Sequence, residues 1–522
     1  MSKEQKSRVI FWGACAVIGV LAVVTRLFRL PALPYGFHLD ETSVIYNAWC
    51  LANYGVDRYL KSFPVYFINN ELGNSGQSAL YTYALAAVFK ILGYRSAYAR
   101  IPGVIFSWIN IGFGMLTANR IFKEKKQYVL ITGLLLTICP YFIMASRIAL
   151  DCNLMLGMST VFLYFMVCIF EEGRTRDYVC AGVAGGLVLY AYALSYAIMP
   201  VFLVLFYVAL IRTKRFAWRK MFVMAVPMGL LALPLMVTQI INLFDLNEVV
   251  VCGVTLTKLT GYRLNNMTPF DRYKIYDISR CLFVGDGLPF NAIPGIPLLY
   301  HVSIVLGTVA VIWSLILCVR NFVKNRMTAS DIMILWFASC ITLFLRLNAN
   351  VYRMNEIYFS YILMIVLLIR RLSGLKQKVW RYVPYVCVMI YLVSFGIFAK
   401  TYYGGEYTRR FYDMPYFDII PTEGIRFLED HPEYRHRRAY MAEWRLNYAL
   451  ATLTSPYEMG WKDDGNNEEF STYYEVGTLP EIELDCDYIV RDIYTEYMEE
   501  LSALGYREEK FVNHSVFYRV DE

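Results

Sequence analysis

The chain has 522 residues, 57% of them hydrophobic, and its mean hydropathy of +0.40 excludes an ordinary soluble globular protein. Apolar runs of about 20 residues, the length that crosses a bilayer, recur before Lys400. The net charge of +7 is unevenly distributed, because residues from Lys400 onward hold 26 acidic and 13 basic residues, against 17 and 37 before it. This division predicts a membrane domain over residues 1–400 and a soluble domain over residues 401–522.

The chain begins with a basic segment followed by a long apolar run, as a signal peptide does. No small-residue cleavage site follows, so we expect a retained membrane anchor. The 12 cysteines lie mostly inside apolar runs and show no CxxC spacing. They therefore predict small core residues rather than a disulfide framework or a zinc site.

Eleven apolar segments predict membrane-spanning helices. They lie at about 9–29, 98–120, 127–146, 153–170, 178–196, 198–211, 220–241, 298–319, 331–346, 354–370 and 380–399. With the N-terminus in the cytoplasm every inner loop is basic, as the positive-inside rule requires. The basic clusters lie at Lys123–Lys126, Arg174–Arg176, Arg212–Lys220, Arg320–Arg326 and Arg370–Arg381. This topology predicts a multi-pass protein of the plasma membrane with an extracytoplasmic C-terminal domain.

The segment Ser78–Leu92 is apolar but only about 15 residues long, which favours an interfacial or re-entrant helix over a membrane span. Counting it as a span would also place the Lys123–Lys126 cluster outside and reverse every later loop. The same outer region, Pro31–Tyr98, contains a predicted amphipathic helix from about Thr42 to Tyr54. A second long outer region is Asn242–Pro297.

The C-terminal segment predicts a small α/β domain. A helix from about Ile493 to Leu504 ends at Gly505, a typical C-cap residue, and Val512–Val520 has the composition of a strand. The basic excess of the membrane part lies in short loops, so it reflects topology and not a nucleic-acid partner.

Two adjacent acids, Asp40 and Glu41, stand where the first predicted span leaves the bilayer. An unpaired acid at a membrane surface is costly, so acids in this position are candidates for function. The alternative is a pair of solvated loop acids, with Asp40 as the N-cap of the next helix.

Three arginines lie at outer helix ends: Arg100 opens the second span, Arg147 closes the third and Arg353 opens the tenth. Together they would form a cationic pocket, and the planar guanidinium group binds phosphate through two parallel hydrogen bonds. The alternative for each is snorkelling to the membrane interface. Arg147 and Asp151 are also spaced as an ordinary i, i+4 ion pair.

The order of these motifs resembles that of a known superfamily. Leu39-Asp40-Glu41 follows the first apolar helix, Arg100-Ile101-Pro102 comes next, and Ser146-Arg147 with Leu150-Asp151 follows. The order is similar to that of the GT-C membrane glycosyltransferases, in the bacterial branch with protein O-mannosyltransferases and the lipid A aminoarabinose transferase. The resemblance covers residues 9–400.

Four loop segments also resemble bacterial members of that branch: Pro64–Phe67, Gly73–Tyr81, Asp286–Asn291 and Asn350–Asn355. In mannosyltransferases a His-Pro-Pro-Leu motif opens the corresponding re-entrant helix. This chain has Gly-Gln-Ser-Ala-Leu at residues 76–80 instead, which leaves the sugar and the acceptor open.

The resemblance implies transfer of a sugar from a polyprenyl-phosphate-linked donor, on the outer side of the membrane and with inversion. It implies that Asp40 is the general base, that Glu41 positions the acceptor or the base, and that the three arginines hold the departing phosphate. Substrate contacts are implied for Tyr66, Gln77, Tyr81, Asp151, Asp286 and Asn355. The chemistry is consistent, since an inverting displacement needs a carboxylate at the attacking hydroxyl and cations at the leaving phosphate.

Two other functions are compatible with a membrane protein of this kind. A lipid-linked-glycan polymerase or ligase would share the chemistry of the outer loops. A secondary transporter is less consistent with the sequence, because transporters place charges near the bilayer midplane and these charges cluster at outer helix ends. The sequence leaves a divalent metal ion and the acceptor (glycan, lipid or protein) open.

Overall fold

The computed structural model describes residues 2–68, 76–123, 125–259, 269–405, 407, 417–462 and 470–520. The part before the C-terminal domain is helical. Its helices are α1 Lys3–Leu27, α2 Leu39–Tyr54, α3 Ala79–Leu92, α4 Ile101–Phe122, α5 Lys126–Ile138, α6 Pro140–Ala145, α7 Met155–Glu171, α8 Thr175–Ala191, α9 Ser195–Arg212, α10 Trp218–Leu243, α11 Arg272–Phe283, α12 His301–Val323, α13 Ala329–Phe344, α14 Ile357–Ser373 and α15 Val383–Tyr403.

Seven helices in the described residues are long and apolar enough to cross a membrane, which confirms a multi-pass membrane protein. They include α1, α4, α7, α9, α10, α12 and α15. Helices α3, α5 and α13 are apolar but shorter, so the predicted number of eleven spans is not confirmed. At 14 residues α3 is about 21 Å long and falls short of the roughly 30 Å hydrocarbon core, in keeping with its predicted non-spanning role.

Two predicted helix boundaries differ from the observed ones. The single span expected at 127–146 is two helices, because the peptide before Pro140 is extended (Cys139, φ −68°, ψ 139°) and a residue before proline avoids the helical region. The break expected near residue 197 lies instead between Ala191 and Ser195. Tyr196 therefore belongs to the first turn of α9.

Helix α2 is at the predicted position, but its environment is not that of an amphipathic surface helix. Twelve of its residues, Glu41–Ala52, are all buried. The helix packs against α3 on one side and against the C-terminal helix Arg445–Thr452 on another. A short hairpin of β2 (Tyr66–Ile68) and β3 (Gly76–Ser78) leads into α3. The predicted segment Gly73–Ser75 lies outside the described residues.

The C-terminal domain is α/β, as the sequence predicts, and contains a five-stranded sheet. Its strands are β7 Arg438–Met441, β8 Tyr474–Val476, β9 Cys486–Arg491, β10 Arg507–Lys510 and β11 His514–Tyr518, in the order β10-β11-β9-β7-β8. Strand β7 pairs in parallel with β8 and β9, and the other pairs are antiparallel. The helix expected before Gly505 is Thr495–Ala503, and Gly505 has a positive φ of 83°. The boundary at residue 400 stays a prediction.

The C-terminal domain contacts the segment that immediately precedes the two acids. Strand β1 (Phe37–His38) pairs antiparallel with β6 (Phe417–Asp418), which precedes the large sheet. The Tyr46 hydroxyl of α2 donates to the Thr454 carbonyl at 2.9 Å. Gly36 allows the approach, since it has φ +73° and a Cβ there would lie 2.8 Å from the Asp418 carbonyl oxygen.

Candidate functional site

Asp40 lies in the first turn of α2, where the helix dipole favours negative charge. Its side chain is 37% exposed, and Oδ2 lies 3.8 Å from Nδ1 of His38. The backbone is held from two sides: the N–H donates to His38 Nδ1 at 3.1 Å, and the carbonyl accepts from Gln77 Nε2 at 3.2 Å. Asp40 thus presents an accessible carboxylate on a fixed backbone.

Glu41, the next residue, is fully buried. Its Oε1 accepts from Arg100 Nε at 3.0 Å and from the Ala149 N–H at 2.7 Å. Its Oε2 accepts from Arg100 Nη2 at 3.2 Å and from the His38 N–H at 2.9 Å. Glu41 therefore joins three segments of the chain and completes the capping box of α2.

Arg100 is buried and has further acceptors besides Glu41. Its Nη1 donates to the Pro34 carbonyl at 2.9 Å, and its Nη2 donates to the Gly36 carbonyl at 2.7 Å. Protein acceptors thus occupy the guanidinium on both of its edges. A role in binding the donor phosphate would require these contacts to be exchanged, and that role stays a prediction.

Arg147 is also buried, and it binds backbone carbonyls in the last turn of α1 and in the segment after it. Nη1 donates to the Arg26 carbonyl at 2.8 Å, and Nη2 donates to the carbonyls of Phe28 and Leu33, both at 2.9 Å. A cation suits the C-terminal end of a helix, where carbonyls are unpaired. As with Arg100, this arrangement gives the side chain a structural role in the observed conformation.

Arg353 differs from the other two arginines. It is half-buried, and in the described residues its guanidinium makes one long hydrogen bond, 3.4 Å from Nη1 to the Asn348 carbonyl. The side-chain oxygen of Asn348 accepts from Nζ of Lys274, on α11, at 3.1 Å. Two cations therefore meet at one residue, and Lys274 was not identified from the sequence because α11 itself was not predicted.

Arg353 and Asp40 both act on the pKa of Tyr352. Burial raises the pKa of its phenol, Arg353 lowers that pKa and Asp40 raises it. The phenol therefore lies within electrostatic range of both charges. In sequence Asp40 and Arg353 are more than 300 residues apart, and the fold brings them to one outer region.

Three of the predicted substrate contacts connect the loops around Asp40 to one another. Gln77 binds the Asp40 carbonyl, and its own Oε1 is buried without a hydrogen-bond partner among the described residues. Asp151 Oδ2 accepts from the Ser78 N–H at 2.7 Å. Asn355 Nδ2 donates to the Cys152 carbonyl at 2.7 Å.

Asp286 joins the second outer region to the segment before α14. Its Oδ2 accepts from Asn291 Nδ2 at 2.8 Å and from the Val351 N–H at 2.9 Å. It thereby fixes the loop that carries Arg353. The contact is structural in the observed conformation, while its predicted role with substrate remains untested.

Tyr66 and Tyr81 are buried in packing positions. The Tyr66 hydroxyl lies 2.7 Å from the Tyr196 hydroxyl, and the Tyr81 hydroxyl donates to the Ala99 carbonyl at 3.1 Å. Both residues hold the outer ends of helices together, and contact with a substrate stays a prediction for them.

His38 is the functional candidate that sequence reasoning missed. Its ring packs against Phe290 with centroids 5.2 Å apart and against Phe417 with centroids 5.5 Å apart. Phe290 also lines a small cavity of about 10 Å³ with Tyr352, Asn355 and Asn291, room for about one water. The residue precedes Leu39-Asp40-Glu41, so its position next to the acids was the available signal.

A divalent metal ion was left open by the sequence. In the described part of the chain, one group of three ligand-type side chains lies close together: Glu483, Asp485 and Cys486, in the C-terminal domain. Arg437 forms ion pairs with both acids of this group. Near Asp40, the adjacent carboxylate of Glu41 is bound by Arg100.

Residues 77–241 match the model of the dolichyl-phosphate-mannose-protein mannosyltransferase family. No curated protein matches the chain. Among solved structures, ArnT from Cupriavidus metallidurans in the apo state matches with a TM-score of 0.54 at 13% identity, covering 99% of this chain and 98% of that one. ArnT bound to undecaprenyl phosphate matches with a TM-score of 0.53 at 12% identity, over 98% of both chains.

The archaeal oligosaccharyltransferase AglB from Archaeoglobus fulgidus, in complex with an inhibitory peptide and a dolichol-phosphate, matches with a TM-score of 0.50 at 11% identity. This match covers 85% of the present chain and 63% of AglB. Residues 77–241 thus match the model of a mannosyltransferase family, and the chain shares the fold of the ArnT structures over almost its whole length.

Proposed function

We propose that this protein transfers a sugar from a polyprenyl-phosphate-linked donor to an acceptor at the outer face of the membrane, with inversion. The observation that carries the proposal is the contrast at the acid pair: the Asp40 side chain is 37% exposed, while Glu41 is fully buried and paired with Arg100. The ArnT structure with undecaprenyl phosphate and the AglB structure with a dolichol-phosphate support a lipid-phosphate carrier.

In this proposal Asp40 is the general base. Its carboxylate takes the proton of the acceptor hydroxyl, the hydroxyl oxygen forms a bond to the anomeric carbon, and the bond from that carbon to the phosphate oxygen breaks. A base has to lie within hydrogen-bonding distance of the attacking hydroxyl, and an exposed carboxylate on a fixed backbone meets that condition. Glu41 positions this base by holding the first turn of α2.

The departing lipid phosphate needs positive charge. Arg353 is the predicted arginine whose guanidinium has donors to spare, and Lys274 lies at the same asparagine. We assign the phosphate to this pair, and the pKa of the neighbouring Tyr352 phenol responds to both Arg353 and Asp40. Arg100 and Arg147 support the site by binding backbone carbonyls of Gly36 and Leu33, in the segment between α1 and α2. This assignment changes the predicted role of two arginines from ligand to scaffold.

We also propose that the N-terminus is cytoplasmic and that residues 401–522 form an extracytoplasmic domain. The support is the basic composition of every predicted inner loop, including Arg370 and Arg371 in the last turn of α14. A cysteine placed at Lys125 in a variant without reactive native cysteines should react only with a membrane-permeant reagent. Labelling from outside the cell would contradict this topology.

The ligase alternative is favoured by the fold shared with an oligosaccharyltransferase. The two functions differ in the size of the transferred group, since a ligase moves a preassembled glycan and the proposed enzyme moves a single sugar. The mass added to the acceptor therefore distinguishes them.

The direct test is mass spectrometry of outer-surface glycans from cells that express the native chain or Asp40→Asn. We expect the Asp40→Asn cells to lack one sugar-sized mass increment. The matched control is Asp245→Asn, because Asp245 is an outer acid with a 90% exposed side chain. The proposal fails if Asp40→Asn cells keep the increment, or if Asp245→Asn cells lose it as well.

A further inference from the structure

His38 lies between the proposed base and the C-terminal domain. Its Nδ1 accepts the hydrogen bond from the Asp40 N–H, so a neutral ring in this geometry carries its proton on Nε2. Its backbone N–H donates to Glu41, and its side chain is 13% exposed. One residue therefore contacts both members of the acid pair.

Histidine is an unusual choice for this position. Helix N-caps are normally Ser, Thr, Asp or Asn, whose short side chains accept a backbone N–H equally well. The imidazole adds a ring that a short side chain lacks. That ring packs against Phe290 of the second outer region and against Phe417 of the C-terminal domain.

The position of Phe417 is fixed both by its pairing with β1 and by a contact to the large sheet. Phe417 is the Cα partner of His38 in the β1–β6 pair, and its carbonyl accepts from Nη1 of Arg491 at 2.7 Å. Arg491, on β9 of the large sheet, also forms a 3.0 Å ion pair with Glu443. A continuous set of contacts thus runs from the C-terminal sheet through Phe417 and His38 to Asp40.

We propose that His38 is a positioning residue for Asp40, and that the C-terminal domain acts on the reaction through the contact of Phe417 with its ring. The inference rests on the proposed role of Asp40 as the base. The imidazole nitrogen fixes the first turn of α2, and the two phenylalanines fix the imidazole. The C-terminal domain is then part of the active site, and binding of an acceptor to this domain would change the position of the Asp40 carboxylate.

Three substitutions separate the hydrogen bond from the packing. His38→Asn keeps an acceptor for the Asp40 N–H and removes the ring, His38→Phe keeps a ring and removes the acceptor, and His38→Ala removes both. We expect His38→Ala and His38→Phe to lower kcat about tenfold with the donor KM unchanged, because a displaced base slows the chemical step. His38→Asn should recover only part of that loss, because it restores the acceptor for the Asp40 N–H but not the ring that Phe417 contacts.

A purely structural role predicts the reverse order, with His38→Phe close to native and His38→Asn impaired, and that result would overturn the inference. So would a loss of folded protein that follows the loss of activity across the three variants. If Asp40→Asn is inactive while all His38 variants are normal, this inference alone fails. If Asp40→Asn remains active, the proposed function fails first.

The link to the C-terminal domain has its own test. Phe417→Ala should lower kcat in the native background but have little further effect in His38→Ala, because both changes interrupt the same set of contacts. Phe417→Leu, which keeps apolar bulk, is the matched control, and its kcat should lie between those of the native protein and Phe417→Ala. Additive losses from Phe417→Ala and His38→Ala would overturn the link.

Discussion

Two groups of charged side chains near the predicted outer helix ends differ in their burial and in their hydrogen-bond partners. In the first group, Glu41, Arg100 and Arg147 are buried and bind one another or backbone carbonyls. In the second, Asp40 and Arg353 are partly exposed, and Lys274 joins Arg353 at Asn348. Sequence reasoning treated Asp40, Glu41 and the three arginines alike as candidate site residues, and the contacts distinguish the buried, paired group from the more accessible one.

The difference shows what a charge at a helix end indicates. A buried charge has to be paired, because leaving it unpaired costs several kcal/mol, so full pairing is a sign of structure. A charged side chain that stays partly accessible in an otherwise closed region, as those of Asp40 and Arg353 do, can still be reached by a substrate. Such a charge is the better candidate for a substrate contact.

The largest effect is expected in the buried group. Glu41→Gln leaves Arg100 without its counter-ion, and Arg100→Lys loses the guanidinium contacts to Glu41, Pro34 and Gly36. Breaking a buried pair costs about 3–5 kcal/mol, so both variants should give little folded protein in detergent, as measured by size-exclusion chromatography and thermal unfolding.

Arg95→Lys is the matched control for Arg100→Lys, because Arg95 is an exposed arginine in the connection before α4. It should fold normally. If the Arg100→Lys protein folds well but binds the lipid phosphate poorly, Arg100 binds the phosphate and its assignment to the structural group is wrong.

A smaller effect is expected for Arg353, which is partly exposed, and for Lys274, which is buried with its ammonium group at Asn348. Arg353→Gln and Lys274→Met should fold, but each should weaken binding of a polyprenyl phosphate about 10- to 100-fold, since a hydrogen bond to a charged group contributes roughly 1.5–3 kcal/mol. Equilibrium binding to the purified protein measures this effect. Arg346→Gln, at an exposed arginine of the same connection, is the control. Equal binding by all three variants would place the phosphate elsewhere.

The sequence was sufficient for the class of fold and for the choice of candidate residues around Asp40, whose roles stay predictions. Long apolar runs with basic loops predicted the helices, and the gap between Leu30 and the next helix predicted the loop of Asp40. It was not sufficient for the division of roles. The partners of Arg100 are the carbonyls of Pro34 and Gly36 and the carboxylate of Glu41, and no local pattern encodes contacts over about 60 residues.

The same limit applies to the C-terminal domain. Its helix and strand were visible as local patterns, but the pairing of Phe37–His38 with Phe417–Asp418 joins segments almost 400 residues apart. Lys274 was missed for a related reason, because α11 lies in a region rich in loop-forming residues and its buried face depends on tertiary contacts.

The central claim is that two adjacent acids have different functions, and one side-by-side measurement tests it most directly. Folded yield and turnover are measured for Asp40→Asn and Glu41→Gln in the same detergent, with the same donor. The account predicts a normal yield for Asp40→Asn with turnover lowered about 10²- to 10⁴-fold, the usual contribution of a general base, and a strongly reduced yield for Glu41→Gln. It would be contradicted if Asp40→Asn kept more than about a tenth of native turnover, while Glu41→Gln folded normally and was inactive.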